Sequence, residues 1–169
     1  LVSCSVDESV KLYNSYGIEN SKILLGIPFY VNLQKNCEGP GTKTGSGGSK
    51  WYNVMLNDYK LSDTMKEYFD EECGVPYRYD PTTKVFISYD NEQSIKVKCE
   101  YINTLGLAGI MYWQYGQDVD DMLTDAIKKY IMKLLLSISQ YLSRYTSLFI
   151  IIVAIIAFLM PETFAWVPQ

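Results

Sequence analysis

Trp113 is the residue best placed to do chemistry with a ligand. It ends the apolar run "LAGIMYW" at 107–113, and a polar, acidic stretch follows at once, with Gln114, Gln117, Asp118, Asp120 and Asp121. An indole presents a broad apolar face and an N–H edge, so at such a junction it serves either as a platform under a ring-shaped ligand or as a core plug. The 15 tyrosines supply more surfaces of that kind, among them Tyr30 at the end of "KILLGIPFY". Other chemistries are excluded. The chain has no histidine, which removes Ser–His and Cys–His nucleophile pairs and histidine metal sites. Cys4, Cys37, Cys73 and Cys99 form no C-x-x-C pair, so zinc is not expected, while disulfides and free thiols both stay open. The acidic cluster 118–121 lacks the spacing of a calcium loop, and Asp118 reads better as a helix cap. The glycine-rich stretch 39–48 lacks the G-K-[ST] ending of a phosphate cradle. No metal and no cofactor are expected.

The elements that would position Trp113 and Tyr30 follow from pattern. Ser5 and Glu8 have capping-box spacing, and Gly17 stops the helix that follows. Residues 21–30, "SKILLGIPFY", read as one strand buried on both faces. Residues 31–50 read as loop, and a short helix is expected near 51–59. "VPYRY" and "KVFISYD" flank the turn sequence "DPTT", which predicts a hairpin. Asp90 with Gln93 is expected to cap a helix that Gly106 ends. After the strand at 107–113, apolar residues at 122, 123, 126, 127, 130, 131, 134 and 135 mark a helical stripe.

Helices alternating with buried strands predict an α/β fold. A loop from strand to helix usually has about 2–6 residues, yet Tyr30 and Asn91 are 61 positions apart. That stretch must be a subdomain with its own hydrogen bonds, inserted at the C-terminal edge of the sheet, where α/β proteins hold ligands. Tyr52, Tyr77 and Tyr79 are expected to hold this subdomain together in preference to facing the cleft.

The net charge of -4 and the lack of a basic run exclude nucleic acid as a partner. No N-x-S/T acceptor occurs. The chain begins with Leu1, and two strands are too few to close a sheet, so a piece of something longer, or a chain that rests on a partner, is expected. Residues 145–161 carry no charge and would span roughly 25 Å as a helix against a hydrocarbon core of about 30 Å, which predicts a membrane anchor. Lys128, Lys129, Lys133 and Arg144 precede this run, and on charge alone they would place the domain in the cytosol.

At this level of detail a resemblance emerges. "KILLGIPFY", "GPGT" and "VPYRYDPTTKVFISYDNEQSIKVKCEYINTLGLAGIMYWQYGQD" resemble the C-terminal part of family 18 glycoside hydrolases, the chitinases, over roughly residues 6–131. The resemblance implies the last two strands and helices of a (β/α)8 TIM barrel. Residues 1–30 would supply a helix and strand seven, and residues 91–143 a helix, strand eight at 108–113 and the final helix. Residues 31–90 would form an α+β chitinase insertion subdomain, and residues 145–161 the transmembrane helix.

The implied ligand is chitin or a chitooligosaccharide. The implied substrate-binding residues are Trp113 as the floor under the reacting sugar, Tyr30, Met111 two residues before Trp113 on the same face, and Gln114 where some members carry a glutamate. The family's reaction would use a glutamic acid as proton donor and the substrate's own N-acetyl oxygen as nucleophile. The D-x-x-D-x-D-x-E motif that carries this acid is absent from the 169 residues, so no catalytic residue is assigned and the chain alone is expected to be inactive. The family's Tyr-Gly-Arg after strand seven is here Tyr30-Val31-Asn32, which replaces a forked donor by a shorter amide. A non-enzymatic chitin-binding, lectin-like protein is the competing expectation. A chitin-directed domain belongs outside the cell or in a lumen, against the charge bias.

Overall fold

The computed structural model describes residues 5–131 and 141–146. The chain divides into two units, Leu1–Tyr130 and Ile131–Gln169.

The first unit opens with helix α1 (Val6–Ser15), capped as its sequence requires. The Glu8 amide donates to the Ser5 hydroxyl at 3.1 Å, and the Glu8 carboxylate accepts from the Ser5 amide, also at 3.1 Å. Strand β1 (Leu24–Pro28) follows, and it pairs in parallel with β7 (Gly109–Trp113) in the register Gly26↔Met111 and Pro28↔Trp113. The pair is covered on one face only. Leu25 and Ile27 are 4% and 1% exposed, whereas Leu24 is 56% exposed. The expectation of burial on both faces therefore fails: on the face that carries Leu24, Met111 and Trp113 all three side chains are exposed, and among the described residues neither outer edge of the pair is bonded.

The expected strand at 21–30 also divides. Phe29, fully buried, is the break, and Tyr30 opens a second strand in a second sheet. That sheet has five antiparallel strands in the order β3-β2-β6-β5-β4. They are β2 (Tyr30–Gln34), β3 (Gly47–Trp51), β4 (Lys66–Asp70), β5 (Val75–Asp80) and β6 (Val85–Ser88). Residues 31–50, read as loop, thus contain most of two strands. The predicted hairpin is present: β5 pairs with β6 from Tyr77↔Ser88 to Asp80↔Val85. Its turn is held by Asp80, whose carboxylate accepts from the amides of Thr82 and Thr83 at 2.8 and 3.2 Å.

One face of the sheet is core, with Val31, Leu33, Val85 and Ile87 buried. Short helix α2 (Tyr52–Asp58) adds Tyr52 and Met55 to that core. Arg78 is buried there too and donates to the carbonyls of Met55 and Tyr59 at 3.3 and 3.0 Å and to the Glu67 carboxylate at 3.3 Å. Tyr89 donates to the same carboxylate. On the open face Tyr68, Tyr77 and Phe86 form a stacked ladder with centroid distances of 5.1 and 5.3 Å.

Helix α3 (Glu92–Leu105) begins one residue later than Asp90 would have set it. Asn91 is the cap and accepts from the Ser94 amide at 3.0 Å. Asp90 is buried and accepts from Lys98 at 2.6 Å and from the Ser94 hydroxyl at 2.7 Å. Gly106, at φ +65°, ends the helix where a side chain would be strained. Helix α4 starts at 122 and runs to 131, the end of that described segment. Cys37, Cys73 and Cys99 are free thiols.

In the second unit residues 141–146 are helical, with the Tyr141 and Tyr145 hydroxyls 2.5 Å apart. No helix among the described residues is long and apolar enough to cross a membrane. The span expected at 145–161 lies outside the described residues from 147 onward.

Candidate functional site

The two sheets meet at the end of the parallel pair. The Phe29 amide donates to the Trp113 carbonyl at 2.8 Å, and the Phe29 ring stacks on Tyr112 at 4.7 Å with 7° between planes. Trp113 is thereby held by its backbone while its ring projects from the uncovered face, 64% exposed. It is not a core plug. One residue beyond Phe29, Tyr30 pairs across the strands with Trp51.

A cleft of about 400 Å³ lies at this junction, lined by Tyr30, Ser49, Lys50, Trp51, Trp113 and Gln117. It brings together two of the four sequence-predicted residues, Trp113 and Tyr30. Met111 and Gln114 are exposed but line no part of it. Met111 lies against Gly26, where an added Cβ would meet its Cε at 3.4 Å. The peptide bond between Trp113 and Gln114 is cis.

Sequence reasoning missed Ser49, Lys50, Trp51 and Gln117 as lining residues. The Gln117 Oε1 is buried and has no hydrogen-bond partner, an arrangement that native proteins seldom leave unexplained. None of the six lining residues is a carboxylic acid. Asp118, next in sequence to Gln117, has another task. Its carboxylate accepts from the amides of Leu123 and Thr124 at 3.0 and 2.8 Å and from the Thr124 hydroxyl at 2.6 Å, which caps α4.

The tyrosines of the insert that were expected to be structural are so. Tyr52 is buried, and the loss of water around it pushes its phenol up. Tyr77 belongs to the ladder, and the Tyr79 hydroxyl donates to the Cys37 carbonyl at 3.2 Å. Among the described residues no group of acids, cysteines or histidines could hold a metal ion.

Comparison with known proteins gives this arrangement a family. Residues 2–118 match the sequence profile of the glycosyl hydrolases family 18. The chain belongs to that family. Its family 18 relatives include chitinase A1 of Niallia circulans, 31% identical over 125 residues, which cover 66% of this chain and 18% of that protein. Among solved family 18 structures, an N-acetylglucosaminidase from Paenibacillus barengoltzii superposes with a TM-score of 0.69 at 36% identity, over 77% of this chain and 40% of that one. A chitinase-like agglutinin from Robinia pseudoacacia superposes with a TM-score of 0.64 at 26% identity, over 75% of this chain and 37% of that one. The chain thus spans well under two thirds of the length of each of these proteins.

Proposed function

We propose that this chain is the C-terminal part of a chitinase-like protein and supplies the floor and one wall of a cleft for β-1,4-linked N-acetylglucosamine. Its β1 and β7 would be strands seven and eight of a (β/α)8 barrel, and its five-stranded sheet the insertion subdomain. The single observation that carries the reading is that Trp113 and Tyr30, on different sheets, line one cleft, with the indole face open to a ligand. The apolar face of a pyranose ring and an exposed indole both lose unfavourable contact with water on stacking. Ser49 and Gln117 add a hydroxyl and an amide at the same cleft for the ligand's polar groups.

Hydrolysis would be substrate-assisted and would need a general acid that these 169 residues do not provide in the family's motif. Loss of a general acid alone costs about 10²–10⁴ in rate. Residues 1–169 are therefore a binding surface without turnover. Incubating the full chain with a chitooligosaccharide and separating the products tests this: retention on chitin with no cleavage is expected, and measurable cleavage overturns it.

A second reading, a lectin-like chitin-binding protein, is supported by the similarity to an agglutinin. A glutamate closing a D-x-x-D-x-D-x-E motif in the gene segment preceding Leu1 would select the enzyme, and a replacement there the lectin.

The uncharged run 145–161 supports membrane anchoring, and a chitin-directed role, against the bias of the basic residues before the run, puts the domain outside the cell or in a lumen. Protease digestion of the domain on intact cells is the expected result, and full protection would reverse the orientation.

A further inference from the structure

We infer that Lys50 makes the cleft selective for an anionic glycan, a β-1,4-linked N-acetylglucosamine chain in which alternate sugars carry a carboxylate. Such a chain is bound more tightly than the uncharged chain of the same length. This rests on the reading of the cleft given above and deepens it, because it names a substituent that the ligand carries.

Lys50 is exposed, and it is the one charged residue among the six that line the cleft. Its neighbours leave that charge uncompensated. Gly47, Gly48 and Ser49 precede it, Trp51 follows it, and Val31 is its partner across the strands. Glu38, the one acid of residues 31–50, is paired with Lys84. Asp118, beside Gln117, is engaged with the amides that start α4. Ion pairing sorts the lysines of the described residues into two sets. Seven of them pair with carboxylates. Lys35, Lys43, Lys50, Lys60 and Lys66 have no such partner among the described residues, and all five belong to the insert. The whole chain has a net charge of -4, so its unpaired lysines are gathered on one part of an acidic molecule, and one of them stands at the cleft.

The lining restricts the ligand in two ways. Gln117 Oε1, buried without a partner, is an acceptor for an N–H such as that of an N-acetyl group, so the ligand keeps its acetamides. The Lys50 ammonium is a point charge on a flexible stem. It adds a long-range attraction only where the ligand is itself charged, and the sign must be negative. A lactyl ether on a sugar hydroxyl meets both conditions. It brings a carboxylate and leaves the β-1,4 backbone, the acetamides and the apolar ring face as they are. A uronic acid also brings a carboxylate, but it takes the place of an N-acetylated sugar.

The test measures dissociation constants of the full chain for three tetramers: N-acetylglucosamine alone, the same chain with a lactyl ether on alternate sugars, and N-acetylglucosamine alternating with glucuronic acid. The lactyl-ether tetramer should bind about two- to fivefold more tightly than the neutral one, the size of one exposed ion pair. That preference should fade at about 1 M salt, where charges are screened beyond about 3 Å. Lys50→Gln should abolish the preference and Lys50→Arg should keep it. Lys43→Gln removes the same charge outside the cleft lining and should also keep it. Tighter binding of the uronate tetramer than of the lactyl-ether one would overturn the substituent named here. No preference in the parent, or an equal loss of it in Lys43→Gln, sinks the inference, while the proposed function stands if Trp113→Ala still weakens the neutral tetramer. If the parent binds none of the three, both fall.

Discussion

The Phe29 amide and the Trp113 carbonyl, 2.8 Å apart, join the end of the parallel pair to the start of the antiparallel sheet. Because Tyr30 follows Phe29 directly, this one bond sets the distance between the cleft's floor and its wall. The floor comes from an α/β framework, the wall from an inserted sheet, and the stack of buried Phe29 on Tyr112 braces the corner between them.

Asp118 tests whether the acidic stretch after Trp113 is structural. Its carboxylate satisfies two amides at the start of α4. Asp118→Ala should destabilise the domain by about 1–2 kcal/mol, the usual effect of losing such a cap. Asp118→Asn should recover most of it in urea unfolding, and ligand binding should hardly change. A large loss of binding at unchanged stability would instead place Asp118 in the cleft.

Arg78 should matter far more than its lack of any role in the cleft suggests. It is 7% exposed and serves two carbonyls and the Glu67 carboxylate at once. Arg78→Met keeps the volume but strands those acceptors. A loss of about 3 kcal/mol is expected, the low end for a broken buried pair because Glu67 is partly solvated. Urea unfolding should show it, and a change within about 0.5 kcal/mol, the size of an ordinary surface effect, would contradict it.

Alkaline pH should loosen the fold through its buried phenols. Burial pushes Tyr101 up to about 12, helped by its hydrogen bond to Asp7. Burial likewise raises Tyr52, and burial together with the Glu67 carboxylate raises Tyr89. A group raised in the folded state stabilises fully below its unfolded value, about 10 for tyrosine, and loses that contribution as pH climbs toward the folded value. The unfolding midpoint should therefore fall from about pH 10 upward. Absorbance titration should show these three of the 15 tyrosines ionising only late, or together with unfolding. Uniform ionisation near pH 10 in the folded protein would contradict this.

Local signals carried much of the fold. The Ser5–Glu8 spacing, the "DPTT" turn and Gly106 each specify a conformation by short-range bonding or by φ, and each is found as read. What failed depended on partners distant in sequence. "YVNLQ" at 30–34 alternates polar and apolar as a half-buried strand should, but its continuity with the preceding apolar run masked the break at Phe29. "GGSKW" has no alternation, because all five of its residues are exposed. Only its pairing with β2 makes it a strand, so Trp51 was not seen as a neighbour of Tyr30. At α3, Asp90 has the residue type of a cap, but it is buried in an ion pair with Lys98, and Asn91 caps the helix in its place.

The most direct test of the central claim is a fluorescence titration of the full chain with a chitooligosaccharide, run beside Trp113→Ala. Saturable binding with a change in indole emission is expected for the parent, together with at least about tenfold weaker binding for the variant at an unchanged melting temperature, because the ring is exposed and supports no core. Equal affinity in the two proteins, or no binding by the parent, would contradict the account.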